Sequence, residues 1–562
     1  MALGLLLTVL FMGGEALGVE KVVDEDAERY ESTTRFTAND LNGGWDASKA
    51  TATVALNGDS ASIRGNGAYF YDGSVVVTGA GYYVFSGSLD DGGIIVDAYD
   101  SSKVFLLLNG VTLYRSDDAC LRVERADKVF LTLAEGTENR MESGAAYSET
   151  ALAGKTGGTV FARDDLTING GGSLTIVANY KHGVDANDDL VITGGKISVT
   201  APQDGMHVND SFRMRGASLT IEAGDDGVHS DTDIYIESGT LLISSCYEGL
   251  EALRIEIAGG DIAIYPTDDG LNANGGSGGF GGGMMGGGFG GERSERAERP
   301  GGERAERFDG LDGEMPRTPG DFDGEVPQMP EDFGVRAPRP NGGVDAARGE
   351  SADADGGDTE TYIRVTGGSI LIVNENARDA DGLDSNGSIY IEGGTILVSL
   401  NGSGSNNAID YGSENGGVAE ISGGTVIAAG GAFMAENFSD SSAQPSIAYT
   451  GSVAAGSTVA LRDADGTALL EWTVPCAFTH LTLSCPALTL GETYTLVLGD
   501  GGEEVTLESA VTTLGGGSGM GDMGGFGGGH GGFGGNRGGM GGGFDRGGNR
   551  GGFPGGDGGR QE

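Results

Sequence analysis

The chain has 562 residues, 109 of them glycine, and a formal net charge of −49 at pH 7. That charge argues against nucleic acid and anionic lipid as partners and favours cations. Its four cysteines, Cys120, Cys246, Cys476 and Cys485, fit no zinc spacing, and a body rich in Val, Ile, Leu, Thr, Gly and Asp suits strands and tight turns rather than helices.

Residues 1–18 read as a short secretory signal. Leu5 to Met12 form an apolar run and Ala16-Leu17-Gly18 a small-residue cleavage site, although the usual leading Lys or Arg is missing. No run reaches about 18 apolar residues, so no membrane span is expected. The mature protein is expected to be extracellular. From about residue 45 the strands are loosely spaced. Gly93-Ile94-Ile95-Val96-Asp97 precedes Val104-Phe105-Leu106-Leu107-Leu108, and Cys120-Leu121-Arg122-Val123 precedes Val129-Phe130-Leu131-Thr132-Leu133. The second member of each pair begins 25 residues after the last. Cys120 and Cys246 sit in apolar strand contexts that suit buried thiols. Cys476 and Cys485 are left open between a bridge and two free thiols.

A tighter repeat follows. Aligned on one glycine, the chain reads His182-Gly183-Val184-Asp185, Asp204-Gly205-Met206-His207, Asp226-Gly227-Val228-His229, Glu248-Gly249-Leu250-Glu251 and Asp269-Gly270-Leu271-Asn272. These glycines are 22, 22, 22 and 21 residues apart. The phrase returns at Asp381-Gly382-Leu383-Asp384 and, more loosely, at Ala408-Ile409-Asp410. Two more short strands follow each phrase, as in Ile234-Tyr235-Ile236 and Thr240-Leu241-Leu242-Ile243, with a glycine turn between them and side chains alternating apolar and polar. Three short strands per roughly 22-residue coil predict an all-β protein: a right-handed parallel β-helix over 45–440, in which stacking buries a face that no coil buries alone.

Residues 275–359 interrupt this pattern with Gly/Met/Phe, Glu/Arg and Pro-rich sequence of disordered composition. The strands resume at Tyr362-Ile363-Arg364-Val365, so the interruption reads as one enlarged turn. Residues 446–513 predict a small all-β C-terminal domain, and 514–562 a flexible glycine-rich tail.

Stacked coils lie about 4.8 Å apart, so equivalent residues form columns. One column reads His182, Asp204, Asp226, Glu248, Asp269, Asp381. The other reads Asp185, His207, His229, Glu251, Asn272, Asp384, with Asp225, Asp268 and Asp379 beside them. Facing like charges destabilise a sheet, and Ca²⁺ neutralises them with six to eight oxygen ligands of loose geometry. Asp185, Asp204, Asp225, Asp226, Glu248, Glu251, Asp268, Asp269, Asn272, Asp381 and Asp384 are therefore the candidate calcium ligands. Any single Asp-Gly is also an ordinary turn former, and His207 and His229 read as local hydrogen-bonding partners before metal ligands.

The phrases Asp226-Gly227-Val228-His229, Glu248-Gly249-Leu250-Glu251-Ala252 and Asp268-Asp269-Gly270-Leu271-Asn272-Ala273, with Gly136-Thr137-Glu138-Asn139, resemble a family of secreted bacterial parallel β-helix proteins known as carbohydrate-binding-domain-containing. The resemblance runs over roughly 45–510. It implies a protein that binds calcium and a plant-type polysaccharide, polygalacturonate or cellulose, as a clostridial relative does. A non-catalytic carbohydrate-binding protein is the leading expectation. Neutral glucan would want exposed aromatics, for which Tyr235, Tyr265 and Tyr390 are candidates. One alternative is a calcium-dependent polysaccharide lyase or another β-helix carbohydrate-active enzyme, and another is a surface adhesin. Arg-Gly-Gly phrases at Arg537, Arg546 and Arg550 resemble RNA-binding tails, against which the acidic body argues.

Overall fold

The structure is a computed structural model and describes residues 35–42, 47–274, 361–376 and 379–515. The expected signal, the 275–359 insertion and nearly all of the glycine-rich tail lie outside them. The described chain is nearly all-β, its strands and turns forming long and mainly parallel sheets, with one short α-helix, Glu149–Ala153, capped by the Ser148 side chain.

Strands recur in threes. The strand carrying the acidic phrase joins a twelve-stranded sheet that runs from Ala68–Tyr71 to Ile409–Tyr411. The second and third strands of each repeat form two series within a 25-stranded sheet. In every series a strand pairs in parallel with its counterpart one repeat on: Val184 faces Met206, Leu190 faces Phe212, and Ile197 faces Leu219. Alternation explains the pairing. In Lys196–Ala201 every second side chain is buried, so a one-residue slip would turn the whole strand inside out. The inward positions stack as aliphatic columns. Leu190, Phe212, Ile234, Ile255, Ile363 and Ile389 follow one another in register, all but excluded from solvent.

Register is continuous across the 275–359 gap. Leu271 faces Leu383, Asn272 faces Asp384, and Arg254–Ile257 pairs with Tyr362–Val365 as neighbouring repeats pair with each other. The parallel stack ends at Thr425–Gly430, whose outer edge is taken by Phe478–Ser484 running antiparallel. Beyond it, Ser457–Arg462, Ala468–Val474, Thr493–Leu498 and Gly501–Thr506 form a four-stranded antiparallel sheet. Its core is built around Trp472, Leu470 and Leu496 and also contacts Leu397 and Ile427 of the stack. Cys476 and Cys485 do not pair; all four cysteines are buried free thiols.

The repeated glycine has a cause the sequence hid. Gly183, Gly205, Gly227, Gly249, Gly270 and Gly382 do not adopt positive φ, so turn conformation is not what requires them. A Cβ at Gly249 would lie 2.2 Å from the Gly270 carbonyl oxygen and 2.6 Å from Ile264, and the other five meet the same obstacle. Glycine lets the acidic strand press against the next repeat. Gly249→Ala is expected to cost about 1–3 kcal/mol through overpacking. Gly501→Ala, whose nearest neighbour is 3.6 Å away, should leave the urea midpoint unchanged. Equal midpoints for the two variants would refute the close-approach account.

Residues 35–42 lie across the second-strand series as a strap. Asp40 is buried against the Lys128 Nζ at 3.0 Å. Its carboxylate also accepts from the Thr167 hydroxyl at 2.6 Å and from the Thr37 N–H at 2.7 Å. Asn169 and Thr193 donate to its carbonyl. At the other end Arg213 Nη1 donates to the Arg35 carbonyl at 2.9 Å. The strap thus fastens repeats that are far apart in sequence.

Candidate metal centre

Backbone bonds set the site. Each repeated glycine donates its N–H to the carbonyl of the residue at the acid position of the next repeat: Gly183 to Asp204, Gly205 to Asp226, Gly227 to Glu248, Gly249 to Asp269, Gly270 to Asp381 and Gly382 to Asn407. The second column is in strand register: Asp185 faces His207, then His229, Glu251, Asn272, Asp384 and Asp410. Both columns are therefore physical, and they lie side by side on one sheet.

The columns divide into two chemically distinct halves. In the first half histidines balance the acids. The imidazoles of His182, His207 and His229 stack with centroids 4.4 and 5.0 Å apart. His207 Nδ1 is 2.7 Å from Asp204 Oδ2. His182 Nδ1 lies 3.0 Å from the same oxygen without the alignment of a hydrogen bond. Burial works against charge on Asp204, but the two imidazoles outweigh it and hold its carboxyl well below the usual range. His229 sits among Glu251, Asp231 and Asp226. Burial disfavours its charge too, yet these carboxylates push its pKa up to about 12. Burial also opposes charge on Glu251, which His229 overcomes, whereas burial raises Asp226. Asp185 is buried beside His182 and His207 and raised by that burial, while Asp225 is exposed at the rim.

The second half has no such balance. Oxygens of Glu248, Asp268 and Asp269 lie within 4.8 Å of one another, and so do those of Asp381, Asp384 and Asp410. Among the described residues no lysine or arginine forms an ion pair with any of the six. Burial, then mutual repulsion, pushes Glu248 up to about 9, Asp269 to about 8 and Asp384 to about 7, and raises Asp381 and Asp410. Some hydrogen bonds relieve the crowding. Asn272 Nδ2 donates to Glu248 at 2.8 Å, and the Asp381 and Asn407 N–H groups donate to Asp269 and Asp381 at 2.6 and 2.8 Å. The amide oxygens of Asn272 and Asn407 are buried among these acids and accept nothing. A donor set of oxygens alone, with excess negative charge and two orphaned carbonyl oxygens, fits a hard divalent cation. It does not fit zinc or a redox metal.

Of the acids and amides that sequence reasoning brought together, the structure places Glu248, Asp268, Asp269, Asn272, Asp381 and Asp384 in this half, and Asp185, Asp204, Asp225, Asp226 and Glu251 in the histidine half. Sequence reasoning missed Asp410, Glu436 and Asn407. Asp410 was visible only as the looser Ala408-Ile409-Asp410 phrase. Glu436, which accepts from the Tyr411 N–H and the Ser413 hydroxyl, carries no repeat signal.

The aromatic candidates separate. Tyr235 is covered by the strap, with the Arg35 guanidinium 3.9 Å from its ring centroid and the Phe36 ring 6.1 Å away. Tyr390 lies further along the same outward column. Tyr265 is on another series, where it lines a depression of about 470 Å³ with Thr267, Val373, Asn374 and Glu375.

A carbohydrate-binding domain-containing protein of Acetivibrio thermocellus is 38% identical over 128 residues, which are 23% of this chain and 45% of that relative. The chain thus matches less than half of the relative's length. A solved structure, the gadolinium derivative of a polysaccharide lyase-like protein from C. thermocellum, is 28% identical with a TM-score of 0.33, covering 40% of this chain and 92% of that one. A family model described as carbohydrate-binding domain-containing protein matches residues 71–404. Since that match takes in more than half of its 562 residues, the chain belongs to the carbohydrate-binding domain-containing protein family.

Proposed function

We propose that the protein is a non-catalytic, calcium-loaded, extracellular binder of acidic polysaccharide of the polygalacturonate type. The observation that carries this is the unbalanced half of the acidic columns, where two groups of three carboxylates and two orphaned amide oxygens have no basic partner among the described residues. Glu248, Asp268, Asp269 and Asn272 would hold one ion, and Asp381, Asp384 and Asp410 another. Calcium there would supply positive charge to an acidic surface and so permit approach of a carboxylated polymer. Parallel pairing of each strand with its counterpart one repeat on supports winding as a right-handed parallel β-helix, with 446–513 as its C-terminal cap. The apolar run in residues 1–18 supports export. Binding is favoured over lyase chemistry because the carboxylate patch has no adjacent Lys or Arg among the described residues to serve as base.

Immobilised polygalacturonate should retain the protein in calcium and release it in excess chelator, with no unsaturated uronide formed on long incubation. Unsaturated product would make the protein a lyase. Retention that ignores both calcium and polymer charge would refute the acidic-polysaccharide reading.

A further inference from the structure

The outward column that contains Tyr235 and Tyr390 is in register through Arg213, Tyr235, Glu256, Arg364 and Tyr390. It belongs to a different sheet from the acids. Its first part shows what the surface can hold. Arg213 donates to a strap carbonyl, Tyr235 stacks with a planar guanidinium, and Glu256 pairs with Arg35 at 2.6 Å. A segment that crosses the strands is therefore gripped by alternating charged and aromatic groups of this column.

Further along the column the Arg364 guanidinium carbon lies 5.6 Å from the Tyr362 ring centroid and 5.3 Å from that of Tyr390. The two rings meet edge to face at 6.3 Å. Tyr362 is fixed by donating its hydroxyl to Glu256 at 2.6 Å. Arg364 is poorly satisfied by comparison. Its Nε makes no hydrogen bond, and its ion pair with Glu392 is 3.6 Å long, with both side chains 43% exposed. The exposed part of the guanidinium is a planar fork, shaped to receive a carboxylate through two parallel bonds.

We propose that Arg364, flanked by Tyr362 and Tyr390, is a metal-independent subsite for the carboxylate of a uronic acid residue. The guanidinium takes the carboxylate, and the tyrosine faces take the C–H face of the sugar ring. Glu392 competes for the arginine and weakens the site. This rests on the reading of the ligand as an acidic polysaccharide, and places part of its recognition on a sheet other than the calcium-binding one.

The test is calorimetric titration of the full chain, calcium-saturated throughout, with trigalacturonate and cellotriose. Arg364→Gln should weaken trigalacturonate roughly ten- to hundredfold, the loss expected for a charged hydrogen-bonded pair. Arg364→Lys should fall in between, because it keeps the charge and loses the fork. Glu392→Gln should tighten binding, which a merely structural role for Arg364 would not produce. The calcium-induced rise in melting temperature should be the same in all variants, which shows them folded. Trigalacturonate binding by Arg364→Gln equal to wild type would overturn the subsite and leave the proposed function standing. A wild-type protein that binds cellotriose and not trigalacturonate would overturn both.

Discussion

Stripping divalent cations with excess chelator is expected to lower the melting temperature, and calcium added back should restore it. An ion that binds only the folded chain at a thousand times its dissociation constant stabilises by about 4 kcal/mol, which is a few degrees at this chain length. Acidity should act in the unusual direction on the metal-free protein. Glu248, Asp269 and Asp384 are pushed up to about 9, 8 and 7 by burial and by their neighbours, whereas in the unfolded chain they titrate near 4. Between those values the folded state binds more protons than the unfolded state, so stability falls as pH rises. The metal-free protein should therefore melt higher at pH 5 than at pH 8. Saturating calcium should abolish most of that difference, because the ion then supplies the neutralising charge. Asp269→Asn should raise the melting temperature of the metal-free form at pH 8 and blunt its response to calcium. Identical melting curves in chelator and in calcium, at both pH values, would remove the metal from this account.

Asp40→Ala should be the most damaging single substitution outside the core, costing about 3–5 kcal/mol. It leaves the Lys128 ammonium, whose side chain is 9% exposed, with only Asp165 at 3.7 Å, and an uncompensated buried charge carries a penalty of that size. It also abolishes the bonds made to the carboxylate by Thr167 and Thr37. Burial alone would raise the Asp40 pKa, but these partners and Lys128 together lower it. The stability it contributes is accordingly complete above the ordinary carboxylate range and is lost as pH falls through its depressed folded value. Replacing the pair together, as Asp40→Leu with Lys128→Met, should recover most of the loss, because two apolar groups leave no charge stranded. Urea denaturation of the three proteins, with Asp59→Ala as an exposed control, measures this. A midpoint for Asp40→Ala no lower than that of the control would show that the strap does not fasten the stack.

Much of the architecture was legible because a repeat overdetermines it. From residue 182 on, apolar alternation and the glycine phrases reported one period of about 22, and the structure places those positions in register, from Val184 opposite Met206 to Leu383 opposite Ile409. The acidic columns were legible for the same reason. Three things were not. The glycines looked like turn residues, and their steric role depends on a carbonyl one repeat away. The strap contacts run between residues 88 to 221 positions apart, such as Asp40 with Lys128 and Arg35 with Glu256, and no local pattern announces them. The division of the acidic face into balanced and unbalanced halves depends on which acids the three stacked histidines reach, which composition alone cannot resolve. Tyr235 illustrates the cost: it was chosen as an exposed aromatic, and the strap covers it.

The unbroken register on either side of 275–359 means that the fold keeps count by strand pairing between repeats and not by chain length. Lengthening a loop between two fixed anchors costs only about 0.6 kcal/mol per doubling, while each repeat that docks recovers a full set of strand pairings on both sides of the seam. Every position consequently has an address made of a column and a rank, and that address survives large changes in the intervening sequence. The junction between Asn274 and Thr361 is thus a port at which foreign sequence can be loaded or removed, directly beside the carboxylates, without renumbering any column of the stack.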